Sequence, residues 1–102
     1  MTGMDIEVRA EGARLTIVLD GELNTPAAPR FEAAYEQNKG GMNEIVIDME
    51  KLVYITSSGM RVLLDIHQEM EEIGGSLTVR GVSGEIMDVF EVIGFTSFLH
   101  IE

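Results

Sequence analysis

The chain contains no cysteine and no tryptophan. Without cysteine there is no disulfide and no thiolate metal site, as suits a reducing cytoplasm. Positive charge is scarce: Lys39 and Lys51 are the only lysines, and the five arginines are scattered along the sequence. Nucleic-acid binding needs clustered cations that displace counterions from phosphates, and no such cluster exists, so a nucleic-acid partner is excluded. Anionic membrane surfaces are disfavoured for the same reason. No apolar run approaches the ~20 residues that cross a bilayer, which argues against membrane insertion. Met1-Thr2-Gly3-Met4-Asp5 carries no basic segment followed by an apolar stretch, so no secretory leader is visible. A cytoplasmic location is expected.

Catalytic residue types are equally sparse. His67 and His100 are the only histidines, far apart and with no motif around either. Each reads as structural, and no enzyme activity or resident cofactor is expected. No glycine-rich segment has the spacing of a nucleotide loop, since Gly74-Gly75 and Gly81 to Gly84 read as turns. Glu69, Glu71 and Glu72 read as a solvated helix face. A phosphoaspartate receiver would use Asp48, but that chemistry wants a lysine after the last strand, and none follows Lys51.

What the sequence does have is enough hydrophobic material, 45% of its 102 residues, for one packed core, so residues 1–102 are expected to form one domain. The formal net charge of −11 reads first as a means of staying soluble. Ile6 and Val8 alternate with Asp5, Glu7 and Arg9, and Leu15, Ile17 and Leu19 with Thr16, Val18 and Asp20. That is the period of half-buried strands, joined by a turn at Glu11-Gly12. Thr25-Pro26 reads as a helix start, with Ala27, Phe31, Ala34 and Tyr35 at helical spacing and Gly40-Gly41 as the stop. Ile45-Val46-Ile47 is a β-branched run expected of a central strand covered on both faces. Gly59 to Ile73 follows as a helix with Leu63, Ile66, Met70 and Ile73 on its buried face, closed by Gly74-Gly75. Leu77 to Arg80 reads as a strand. Ser83 caps a third helix with a core stripe of Ile86, Val89, Phe90 and Ile93, ended by Gly94. Phe98 to Ile101 reads as a last short strand.

The order β-β-α-β-α-β-α-β implies an α/β fold: a mixed, mostly parallel sheet with an N-terminal antiparallel hairpin and three helices. Functional loops in such sheets follow the carboxyl ends of strands. Those loops are Asp20 to Thr25, Asp48 to Ser58 and Arg80 to Ser83. The second holds Thr56, Ser57 and Ser58, three adjacent hydroxyls where a helix begins. A helix start offers unpaired N–H groups and about half a positive charge, so a phosphoserine is electrostatically favoured there. Ordinary capping is the competing role for such serines. From Met60 to Ile66, five of seven residues are apolar, more than one buried stripe holds. Counted from Ser57, Met60, Arg61 and Leu64 fall at i+3, i+4 and i+7 and share its side of the helix, as a docking patch would. A wide core face is the alternative for Met60 and Leu64.

The segment from Ile45 to Leu64, with Ile55-Thr56-Ser57-Ser58-Gly59-Met60-Arg61 inside it, resembles the signature of STAS domains, specifically the bacterial anti-sigma factor antagonists. Leu19-Asp20-Gly21-Glu22-Leu23-Asn24 is similar to that family's second marker, and Gly74-Gly75-Ser76-Leu77-Thr78-Val79-Arg80 to its next strand. The resemblance covers essentially the whole chain and implies a STAS-like fold. It implies as partners an anti-sigma factor that is also a serine kinase, and a serine phosphatase. The unmodified antagonist binds the kinase and frees a sigma factor for transcription; phosphorylation ends the complex. Carried onto this chain, the acceptor is Ser57, with Ser58 and Thr56 as lesser candidates. Met60, Arg61 and Leu64, with Gly21, Glu22 and Asn24 beside them, are the expected partner contacts. ATP belongs to the kinase. Thr56 and Asn24 stand where the family usually has aspartates. The alternatives are an unphosphorylated STAS-like subunit of a signalling scaffold or lipid-transport complex, and a small-ligand sensor.

Overall fold

A computed structural model describes residues 3–102. Strands β1 (Met4–Glu11) and β2 (Arg14–Leu23) form the antiparallel hairpin, turning through Gly12-Ala13 with Gly12 at φ +60°. Then come α1 (Ala28–Asn38), β3 (Glu44–Ile55), α2 (Ser57–Ile73), β4 (Ser76–Arg80), α3 (Gly84–Ile93), a 3₁₀ turn at Phe95–Ser97, and β5 (His100–Ile101). The sheet order is β1-β2-β3-β4-β5, with every pair after the first parallel. Among the described residues, no helix is long and apolar enough to cross a membrane.

The three crossovers all step the same way across the sheet, and right-handed crossovers in one direction put all the helices on one face. Leu15, Ile17 and Leu19 of β2, Ile45 and Ile47 of β3, and Leu77 and Val79 of β4 meet Phe31, Leu63, Ile66, Ile86 and Phe90 in a single core. Central strand β3 is therefore not covered by helices on both faces, as its apolar run had suggested. Val46 points to the other side, is buried but stands outside that core, and lines a shallow cleft with Arg14, Glu44, Thr78 and Arg80. That open face is charged, with cross-strand pairs Arg14–Glu44 and Asp48–Arg80, each at 3.1 Å.

Strand β3 runs much further than its β-branched run. The stretch beyond Asp48, expected as a loop, continues as strand to Ile55. Between the pairs Val18/Asp48 and Asp20/Lys51, two steps on β2 match three on β3. Between Gly21/Leu52 and Glu22/Tyr54, one step matches two. Each mismatch is a β-bulge, and the two together bury Met49, Leu52 and Ile55 at three-residue intervals. The simple alternation of a strand is thereby hidden. Asp48 is consequently mid-strand; its Oδ1 accepts from the Glu50 N–H at 3.0 Å.

Other boundaries differ for local reasons. Helix α1 begins after Thr25-Pro26, because Asn24 Oδ1 accepts from the Ala27 N–H at 3.0 Å and holds a turn there. The proline inside the first helical turn is Pro29. Helix α2 starts at Ser57, two residues before Gly59. Ile73 is exposed in its last turn, before the chain reverses at Gly74 in the left-handed conformation. Ser83 Oγ accepts from the Ile86 N–H at 3.3 Å and caps α3. Only Ile86 and Phe90 of that helix are buried; Val89 and Ile93 of the expected stripe are exposed. Phe98 lies outside the last strand, since the 3₁₀ turn precedes it and β5 pairs only at His100 and Ile101.

Candidate functional site

The site begins where β3 passes into α2. Thr56 is extended (φ −104°, ψ 171°), and its hydroxyl does not cap the helix. Its Oγ1 and its N–H both donate to the Leu23 carbonyl, at 3.2 and 3.0 Å. The Thr56 carbonyl accepts from the Met60 N–H at 3.0 Å, the first bond of the helix. Among the described residues the opening turn of α2 thus has no side-chain cap, which leaves its N–H groups and positive dipole end to solvent or an anion.

Gly59 sets how closely this turn approaches the sheet. It is buried, and a Cβ there would fall 2.5 Å from Leu23 Cγ. Any side chain would push the helix start away from β2. Gly21 solves a similar problem: at φ +115°, its Cβ would lie 2.1 Å from the Gly3 carbonyl oxygen, and the next N–H, that of Glu22, donates to that oxygen at 3.2 Å.

Helix α2 then forms a ridge between two grooves. Ser57 is exposed on one side, in a groove of about 450 Å³ with Met60, Arg61, Leu64, Asp65 and Gln68; Ile93 and Phe95 form its far wall. Met60 and Leu64 are half-buried, packed against the edge of the core without being sealed in it. Ser58 is half-buried and faces the other way, into a groove of about 290 Å³ between α1 and α2. Arg61 and Asp65, on the crest, border both grooves.

The structure therefore gathers Ser57, Met60, Arg61 and Leu64 around one groove. Thr56 sits beside it with its hydroxyl engaged. Gly21 and Glu22 are half-buried at the end of β2, Glu22 in register with Tyr54, and line no wall of this groove. Asn24 lies apart, holding its own turn and lining a separate cleft with Gly3, Met4 and Arg30. Sequence reasoning missed Ile93 and Phe95, which lie some thirty residues along the chain and had no local sign of being a wall. It also missed Val53 and Tyr54, which the second bulge leaves 68% and 50% exposed just before the site.

Away from the serines, a polar cluster ties α1 to α2. The Tyr35 hydroxyl donates to Glu69, and Lys39 Nζ donates to both Glu69 oxygens at 2.9 and 3.1 Å and pairs with Glu36 at 2.8 Å. Burial, then the adjacent carboxylate, pushes the Tyr35 phenol well above its usual range. Hydrogen bonds from Tyr35 and Lys39 hold Glu69 below the usual carboxylate value. Those from Lys39 to Glu36 and Glu69 raise the lysine.

Comparison with known proteins agrees with this architecture. The STAS domain family model matches residues 5–102. The protein BtrV of Bordetella bronchiseptica, named as an anti-sigma factor antagonist, is 31% identical over 88 residues, covering 85% of this chain and 76% of its own. The solved anti-sigma factor antagonist SpoIIAA, in its unphosphorylated form, superposes with a TM-score of 0.78 at 22% identity, over 98% of this chain and 87% of that one. An anti-sigma factor antagonist from Mycobacterium paratuberculosis gives a TM-score of 0.85 at 16% identity, over 97% and 85%. At these identities the two structures speak for the fold alone. The family match and the Bordetella relative carry the assignment: this chain belongs to the STAS domain family, among the anti-sigma factor antagonists.

Proposed function

We propose that this chain binds an anti-sigma factor that is also a serine kinase, over the groove beside α2, and that phosphorylation of Ser57 ends the complex. A sigma factor is free while the complex lasts, and a serine phosphatase resets the cycle. The observation that carries the reading is the setting of Ser57, an exposed hydroxyl at the uncapped start of a 17-residue helix, on the rim of a groove floored by Met60 and Leu64. In the transfer, the Ser57 hydroxyl oxygen takes the γ-phosphoryl group of the kinase's ATP. Its proton is lost, ADP leaves, and the antagonist itself supplies no cofactor.

The unpaired N–H groups of α2 and the neighbouring Arg61 accommodate the new charge without unfolding the domain. A phosphate adds about −1.5 to −2 charges. Against the total of −11 its distant effect is small, and screening confines it to about 8 Å at physiological salt. Switching binding from nearly complete to nearly absent needs about 5.5 kcal/mol of differential affinity. Trapping a dianion against apolar side chains in a closed interface costs that much, so the acceptor must lie inside the contact. The exposure of Ser57 on the rim of the groove supports that role for it. Thr56 is a poorer acceptor, with its hydroxyl bonded to Leu23, and Ser58 opens onto the opposite groove. SpoIIAA, of the same fold, has been solved in a phosphorylated form as well as an unphosphorylated one.

The test is incubation with the cognate kinase and ATP, followed by mapping of the phosphate. Incorporation at Ser57, abolished by Ser57→Ala, is the expected result. Full incorporation into the Ser57→Ala protein moves the acceptor elsewhere. Binding with no incorporation at all points instead to an unphosphorylated scaffold subunit.

A further inference from the structure

We infer that the docking surface continues from α2 over the C-terminal half of α3, and that its occupant there is a basic amphipathic segment of the partner polypeptide. This rests on the reading above that the groove receives a partner. Its far wall is Ile93 and Phe95, and the helix that ends at Ile93 leaves Val89 37%, Val92 87% and Ile93 44% exposed. Ile86 and Phe90 define the buried side of α3. By helical spacing, Val89 and Ile93 share one flank of it, with Val92 just outside. Ile93 lines the groove, so that flank is turned towards Met60 and Leu64. Together they make an apolar strip left uncovered among the described residues, the kind of surface on which one face of an amphipathic helix docks.

The charges around the strip are nearly all of one sign. Glu85 lies one turn before Val89 and Asp88 one turn before Val92, both exposed, and α3 contains no basic residue. Asp65 borders the opposite wall, and Arg61 is the one cation among the described residues that line the groove. A segment with apolar side chains on one face and lysines or arginines on the other matches both properties. Its apolar face meets Met60, Leu64 and Ile93, and its cations meet Glu85 and Asp88. A phosphate on Ser57 then confronts hydrocarbon and not the cations, so the attraction and the switch are compatible. A second copy of this chain is a poor occupant: it brings the same carboxylates and its own charge of −11.

The probe is a synthetic leucine–lysine amphipathic peptide of about four helical turns, with a leucine–glutamate peptide of the same apolar pattern as its counterpart. Both are titrated at physiological salt into the full chain, followed by NMR of the side-chain methyl groups. The basic peptide is expected to shift Val89, Val92, Ile93, Leu64 and Met60, and the acidic one to leave them in place. V92Q/I93Q keeps every charge and alters exposed positions only; it should weaken the basic peptide at least about tenfold. V92Q, at the more exposed site, serves as a second variant with a smaller loss in the same direction. Equal binding of both peptides, shifts confined to the charged sheet face, unchanged affinity in V92Q/I93Q, or self-association through these methyls each overturns the inference. Ser57→Ala should bind the peptide like the parent, which separates this result from the phosphorylation reading. If the kinase phosphorylates Ser57 while V92Q/I93Q binds that kinase as tightly as the parent, the α3 inference alone fails. If the peptide binds as described but Ser57 is never modified, the phosphorylation reading alone fails.

Discussion

Leu23 fills the space that a side chain at position 59 would need: a Cβ on Gly59 falls 2.5 Å from Leu23 Cγ and 2.7 Å from its Cδ2. Leu23 is fully buried and has nowhere to retreat. Two effects compete in Gly59→Ala. Alanine favours the helix over glycine by about 1 kcal/mol, and overpacking a tight core costs about 1–3 kcal/mol. Overpacking should win, with a net loss of about 1 kcal/mol in urea denaturation. Gly59→Ala in a Leu23→Ala background should lose less than Gly59→Ala alone, because the obstructing atoms are gone. Strict additivity of the two changes would show that the contact is not the cause.

Thr56 spends its hydroxyl on the Leu23 carbonyl and leaves α2 without a side-chain cap. Thr56→Asp places a carboxylate at the positive end of the helix, where it accepts from a first-turn N–H. The gain should be about 0.5–1 kcal/mol at neutral pH, after losing one neutral hydrogen bond whose acceptor still holds the Thr56 N–H. A carboxylate stabilised in the folded state has its pKa lowered there, so the gain should disappear on acidification. Thermal unfolding at neutral and acid pH checks both halves; a gain that persists in acid argues against the charge.

Ser57→Asp should imitate phosphorylation only in part, because aspartate carries one charge on a shorter side chain. We expect affinity for the cognate kinase to fall about tenfold, against about 10⁴-fold for the phosphorylated protein. Calorimetric titration reads both. A Ser57→Asp protein that binds as tightly as the parent would undermine repulsion as the mechanism.

The Tyr35–Glu69–Lys39 cluster gives stability two pH limits. Glu69 titrates below its ordinary 4.5 in the folded protein, so the unfolded chain takes up protons first as pH falls through that region. The stabilisation is present above about 4.5 and is lost on further acidification. Tyr35 and Lys39 titrate above their ordinary 10.0 and 10.5, so their contributions are complete below those values and fade as pH rises past them. Tyr35→Phe removes the bond to Glu69, at a cost of about 1 kcal/mol, and should flatten both limbs of a Tm-against-pH profile. An unchanged profile would mean that the cluster does not couple α1 to α2.

How much of this was legible beforehand depended on how local the cause was. The hairpin, the Ser83 cap and the glycine ends of α2 and α3 each rest on neighbours in sequence, and each was readable. So was the relation of Ser57 to Met60, Arg61 and Leu64, which is a property of helical pitch. Strand β3 was half-hidden because its bulges are defined by the partner strand: Met49, Leu52 and Ile55 are spaced by three only because β2 passes them with fewer residues.

The order of elements, the family signature and the position of a hydroxyl at a helix start were all written locally, because backbone propensity and side-chain periodicity act within a few residues. Tertiary structure alone decided that all three helices lie on one face, that Val89 and Ile93 stay uncovered, and that Ile93 and Phe95 stand opposite Met60 and Leu64. Those outcomes depend on which surfaces remain once the sheet beneath is used up. Beneath α3 little sheet is left, since β5 is only two residues long.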